Sequence, residues 1–221
     1  MPNSHHPGTF MLKDCALIAI ATGKKVMTLK ELGDGLLSIT PASIYYHFWG
    51  GLLQPRFEER EYNNDFAAWV RHGLHDGVLA ERLAVVDPTE FTDLEALRQE
   101  LAELIEERLE ESEFVGWVRG TQQFEFIRSQ IVVFDTHQRV ERPEELAEWM
   151  PHLSTSSIFY HFIDARRRFP AGGEDFSIWL QGFGEDYQGL LEELAAIDPY
   201  FGSLAELRHQ LVLTFKSYLE K

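Results

Sequence analysis

Two histidines pose the first chemical question. His47 stands in SIYYHF and His161 in SIFYHF, each with a serine four residues before it and a tyrosine directly before it. On a helix, with about 100° between neighbours, Ser43, Tyr46 and His47 cluster on one flank, and Ser157, Tyr160 and His161 do the same. One use of such a niche is to bind a polar ligand or move a proton, because imidazole titrates near neutrality and a phenol can share its proton. The other is scaffolding, with the His and Tyr hydrogen-bonded to the main chain of a neighbouring element. Repetition of the motif fits both uses. Asp65 and Trp69 follow the first motif as Asp175 and Trp179 follow the second. The candidate ligand-binding sets are therefore Tyr46, His47, Asp65 and Trp69, and Tyr160, His161, Asp175 and Trp179.

Other chemistry is thinner. His72 and His75 have a spacing that one helical face can offer to zinc, but the second half has Gly182 and Glu185 in their place, so no metal site is nominated. Arg166, Arg167 and Arg168 form the densest basic run and are the candidate anion clamp. Pairing with the chain's own carboxylates is the competing use. The sequence has no glycine-rich phosphate loop, no Cys-x-x-Cys pair and no Gly-x-Ser-x-Gly elbow. No catalytic residue and no cofactor is nominated, and the balance leans away from an enzyme.

The formal net charge of −16 and the pI near 4.9 repel nucleic acid and anionic membrane, so neither is expected as a partner. A protein or a small molecule is. Cys15 is the single cysteine and sits in an apolar run, which excludes an intrachain disulfide and favours a reducing compartment. The opening residues lack the pattern of a signal peptide and no apolar run is long enough to span a bilayer, which predicts a cytoplasmic protein.

Sliding the chain 114 residues along itself aligns CALIAIATGKKVMTLKEL with SQIVVFDTHQRVERPEEL and carries through both histidine motifs. Four residues are then lost from the second copy, after which NDFAAW meets EDFSIW, LAVVDP meets LAAIDP, and LEALRQEL meets LAELRHQL. This predicts two repeat units, residues 1–112 and 113–221. Each opens with a short strand or hairpin, ALIAIA or QIVVF, that ends at the turn-like TGKK or THQR. About five helices follow, with starts marked by Thr28 and Glu31, by Pro143, by Thr40 and Ser154, and near Asp65 and Asp175. The last helix carries capping boxes Thr92 to Glu95 and Ser203 to Glu206, which stand one residue out of register with each other. The expected fold is mostly α within an α+β class: a tandem duplication of a unit of about 105 residues, packed as a pseudo-twofold pair.

Two resemblances attach to these motifs. LSITPASIYYHFWGGLL resembles the recognition helix of tetracycline-repressor-type regulators, which implies a DNA-binding helix-turn-helix. It departs from that family in its turn glycine, replaced by Ser38, and in its basic positions, with no Lys or Arg between Glu31 and Pro55. The order TGKK, LKEL, SIYYHF, NDFAAWVRHGLHD, LAERLAVVDP, LEALRQELAELIEERL is similar over nearly the whole chain to a bacterial domain-of-unknown-function family of duplicated proteins. That resemblance implies no substrate, cofactor or catalytic residue. The leading expectation is a non-enzymatic ligand- or protein-binding module. The alternatives are an enzyme or metalloprotein using the His, Tyr and Asp groups, and a helix-turn-helix regulator.

Overall fold

The computed structural model describes residues 8–54, 60–112, 114–169 and 173–219. It is a mixed α/β fold of helices and a two-stranded antiparallel sheet, strand β1 (Phe10–Thr28) against strand β2 (Arg119–Val140). Both strands are far longer than the short elements read from sequence, at 19 and 22 residues. The quartets expected to end them do not. In TGKK, Gly23 takes φ 81°, and in THQR, His137 takes φ 63°. A single left-handed residue kinks an extended chain and lets it continue, as in a bulge, instead of reversing it. The preceding threonines hold the kinks, Thr22 Oγ1 donating to Phe126 O at 2.6 Å and Thr136 Oγ1 to Leu12 O at 2.5 Å.

Between the strands run α1 (Leu29–Leu36), α2 (Pro41–Trp49), α3 (Asp65–His72), α4 (Gly77–Ala84) and α5 (Leu94–Glu111). After β2 come α6 (Pro143–Trp149) and α7 (Thr155–Ile158), then a π-helical stretch, Phe159–Asp164. The chain continues in α8 (Ala165–Arg168), α9 (Asp175–Leu180), α10 (Gln188–Ala195) and α11 (Leu204–Leu219). Thr28 and Glu31 form the capping box that starts α1, and Leu29, Leu32 and Leu36 are fully buried on one face. Ser154 caps α7, whereas Thr40 makes no side-chain cap for α2, whose start relies on Pro41. The caps of α3 and α9 are Asn64 and Glu174, which places Asp65 and Asp175 in the first turn. The cap of α5 is Asp93, not Thr92: its carboxylate accepts from Glu95 N and Ala96 N. That choice restores the register with Ser203, which caps α11 through Glu206.

The chain divides into two compact units. One is continuous, from Leu17 to Ile131, and holds α1 to α5 with the second part of β1 and the first part of β2. The other joins the described residues up to Ala16 to those from Val132 onward. Each unit thus has a core of helices from one half of the chain closed by a strand segment that begins the other half. In the continuous unit Phe124 and Phe126 are buried, with the Phe124 ring against those of Phe66 and Phe126. In the other, Phe10 and Leu12 are buried, with the Phe10 ring beside Phe176, which in turn meets Phe215.

A strand clamp and the recess beside it

Ser43 and His47 lie one turn apart on α2 and both are buried. They reach the same residue of β2: Ile127 N donates to His47 Nε2 at 3.1 Å, and Ser43 Oγ donates to Ile127 O at 2.7 Å. A strand residue facing away from its sheet partner needs both backbone groups satisfied, and two side chains on one helix do here what a third strand would do. The other unit repeats the device. Lys13 N donates to His161 Nε2 at 2.9 Å and Ser157 Oγ donates to Lys13 O at 2.7 Å. Five residues upstream of each clamped residue an indole adds a second hold, Trp69 Nε1 on Gln122 O within β2 at 2.8 Å and Trp179 Nε1 on Gly8 O, two residues before β1, at 2.7 Å.

This geometry fixes the tautomer. A nitrogen that accepts a main-chain N–H carries no proton, so the proton of each neutral imidazole sits on Nδ1. There His47 donates to Asp65 Oδ2 at 3.0 Å, and His161 to Asp175 Oδ2 at 2.7 Å. Sequence spacing alone could not say that Asp65 and Trp69 meet the motif, and both do. Neither histidine has a nitrogen left for a substrate. Tyr160 is no better placed as an acid, since burial pushes its hydroxyl above the ordinary value, with Asp175 and Asp164 adding to the shift against Arg168. Tyr46 accepts a hydrogen bond from Gln54 Nε2 at 3.1 Å.

The two couples differ in surroundings. Asp65 is 37% exposed and its nearest guanidinium, Arg60, stands 3.9 Å away. Asp175 is 12% exposed and receives Arg168 Nη2 at 2.8 Å. Burial pushes the Asp175 carboxyl up, but the hydrogen bonds from His161 and Arg168 outweigh it and hold the group below its ordinary value. Of the arginine run, Arg166 lies over Phe162 with Nε on the Phe162 carbonyl, and Arg167 pairs with Asp164. Arg168 is held by Asp164, Asp175, the Tyr160 carbonyl and the Tyr160 ring, 4.1 Å below its guanidinium carbon. Arg167 and Arg168 share Asp164, and Arg168 alone joins the candidate set.

A recess of about 350 Å³ opens at the second couple, and Tyr160, His161, Asp175 and Trp179 all line it, together with Arg168, Lys13, Ile178, the start of β1 at Phe10 and Met11, and the two residues before it. Among the described residues no group of three or more His, Cys, Asp or Glu side chains is arranged to hold a metal. His72 pairs instead with Glu61 at the surface, 3.0 Å away. The helix that resembles a DNA-recognition helix is buried at every position from Ser43 to Trp49, which leaves it no face to lay in a groove. No described helix is long and apolar enough to cross a membrane.

A family model described as a family of unknown function, DUF5752, matches residues 7–216. The chain belongs to that family. The solved structure of OrfY from Thermoproteus tenax is similar to this DUF5752 chain with a TM-score of 0.84 at 25% identity, over 97% of each chain. OrfY comes from an archaeon, so the resemblance to this family is not evidence of a bacterial source. No curated protein matches.

Lys13 and Phe10 are the DUF5752 residues that sequence reading missed. Phe10 packs at a tilt against His161, Phe176 and Trp179 with ring centres 5.1, 5.6 and 5.3 Å apart. The signal was present but unused, because Phe124 stands at the matching place and meets His47, Phe66 and Trp69 in the same way. Arg98 was missed too. It is buried, and it binds the Leu36 and Ile39 carbonyls at the end of α1 as Arg208 binds the Leu153 carbonyl at 2.8 Å.

Proposed function

We propose that this protein is a non-enzymatic binding module, built by duplication of one unit (1–112 and 113–221), that takes a small molecule in the recess formed by Tyr160, His161, Asp175 and Trp179. The observation that carries the reading is that recess: about 350 Å³, within the range of small-molecule sites, and lined by the whole candidate set of the second half. Duplication is supported by contacts that recur at matched positions, down to Cys15 Sγ on Ser156 O where Ser129 Oγ meets Ala42 O. The absence of a reactive group is supported by the imidazoles, whose two nitrogens are both occupied by the protein itself. The Cys15 thiol is no nucleophile, because burial first, and then Asp14 and Asp164, push it up to about 12.

Native mass spectrometry of gently purified protein, compared with its denatured mass, tests the reading. Retained mass of a few hundred daltons that is lost from a Trp179→Ala, Ile178→Ala double variant is the expected outcome. Retained mass unaffected by those changes would place the ligand elsewhere, and turnover of the retained molecule would overturn the non-enzymatic assignment.

A further inference from the structure

The recess holds cationic capacity that the protein does not use. Lys13 sits at the middle of the clamp, its N–H on His161 and its C=O held by Ser157, so the root of its side chain is fixed. Its ammonium nevertheless makes no hydrogen bond or ion pair with any described residue. Arg168 is rigid for a different reason. Nε faces Asp164 at 3.3 Å, Nη2 donates to Asp175 and to the Tyr160 carbonyl at 2.8 Å each, and the plane stacks on Tyr160. Those contacts leave Nη1 with no partner among the described residues. Both side chains line the same recess.

Charge balance sharpens the point. Asp175 already faces His161 and Arg168, and Asp164 faces Arg167 and Arg168, so neither carboxylate is left over for Lys13. In a chain of net charge −16, an unmatched lysine rooted in the clamp beside a spare guanidinium nitrogen is a local reversal of sign. The Arg168 guanidinium, held in place before a ligand arrives, loses little entropy on binding it. Phe10, Ile178 and Trp179 supply the rest of the wall, which suits an apolar body and not a bare ion. The first half provides an internal contrast, because the strand residue clamped by Ser43 and His47 there is Ile127, with no charge to offer.

Resting on the binding reading above, we infer that the recess takes a small organic anion, its acid group between Lys13 and Arg168 Nη1 and its apolar body against Trp179 and Ile178. The chemistry is shared by organic carboxylates and phosphate monoesters.

The test is a titration of the full chain, followed by nuclear magnetic resonance at the Trp179 indole, with benzoate and phenyl phosphate as probes, benzyl alcohol as the neutral control and inorganic phosphate as the bare anion. A saturable shift with either acid, with the Trp69 indole unmoved, is expected; benzoate alone or phenyl phosphate alone would identify the acid class. Lys13→Met keeps the stem and the backbone clamp and should weaken binding at least tenfold, while Lys13→Arg should retain it. Benzyl alcohol binding as tightly as the acids, or an unchanged affinity in Lys13→Met, would overturn the anion inference while leaving a binding recess in place. Inorganic phosphate matching phenyl phosphate would overturn the organic body. No shift at Trp179 with any probe would overturn this inference alone if native mass spectrometry still finds a retained molecule, and both readings if it does not.

Discussion

Glu174 shows how one residue can make stability depend on pH. It caps α9 by accepting from Phe176 N at 2.6 Å and Ser177 N at 2.8 Å, yet it is buried. Burial pushes its carboxyl up to about 7, against those hydrogen bonds and the charge of Arg166. The folded state therefore holds a proton that the unfolded state releases near the ordinary value of 4.5. Because the folded state binds more protons in that window, stability is highest below it and falls as pH rises through it. Glu174→Gln should flatten the profile across the two values, by about 3 kcal/mol in the difference from wild type. Urea unfolding from pH 4 to 8 measures it, and parallel profiles for both proteins would show that Glu174 does not titrate there. The matching cap, Asn64, is a buried amide that accepts from Ala67 N and donates to Leu83 O, so the same position in the other unit has no such slope. At this scale the sequence was informative about type and silent about environment: the spacing marked a helix start near Asp175, but nothing in it distinguished a cap in solvent from one in the core.

The clamp belongs to the element. Its parts are a strand and a helical stretch, the nine residues of α2 in one unit and the four of α7 with the six-residue π-helical stretch after it in the other, and the serine and histidine one turn apart work because the repeat of a helix matches the N–H and C=O of a single extended residue. Removing the imidazole leaves a buried main-chain N–H without a partner, a carboxylate without its donor, and a gap among aromatic rings. His47→Ala should cost about 3 kcal/mol. His161→Ala should cost more, since Asp175, at 12% exposure, then has Arg168 as its remaining donor, where Asp65, at 37%, is open to water. Hydrogen exchange gives the local readout: in His47→Ala the Ile127 amide should exchange at least tenfold faster while the Lys13 amide keeps its wild-type protection. Equal loss at both amides would mean global unfolding in place of strand release. The motif itself was legible as a polar flank on a helix. Its partner was not, because Ile127 and Lys13 stand 80 and 148 residues from their histidines and carry side chains that play no part in the bonds.

At the scale of the whole molecule, the closing strand of each helical set comes from the start of the other half of the chain. A fragment spanning 17–131 contains Ser43, His47 and Trp69 along with Gln122 and Ile127, and should fold on its own, whereas 1–112 lacks both strand residues and should not. Circular dichroism melts of the two fragments separate these outcomes; cooperative unfolding of 1–112 would show that the clamp is dispensable. The sequence by itself determined where most helices run, the caps Thr28, Ser154 and Ser203, and the buried stripes, from Leu29, Leu32 and Leu36 to Leu204, Leu207, Leu211 and Phe215. Those features arise from residues three or four apart, and periodicity records them. It also paired the polar residues of each candidate set. Only the tertiary structure decided that TGKK and THQR kink a strand without ending it, that each histidine spends both nitrogens inside the protein, and which strand each helix grips. Backbone donors and acceptors do that work, and every residue but proline has both, so side-chain identity carries no trace of it.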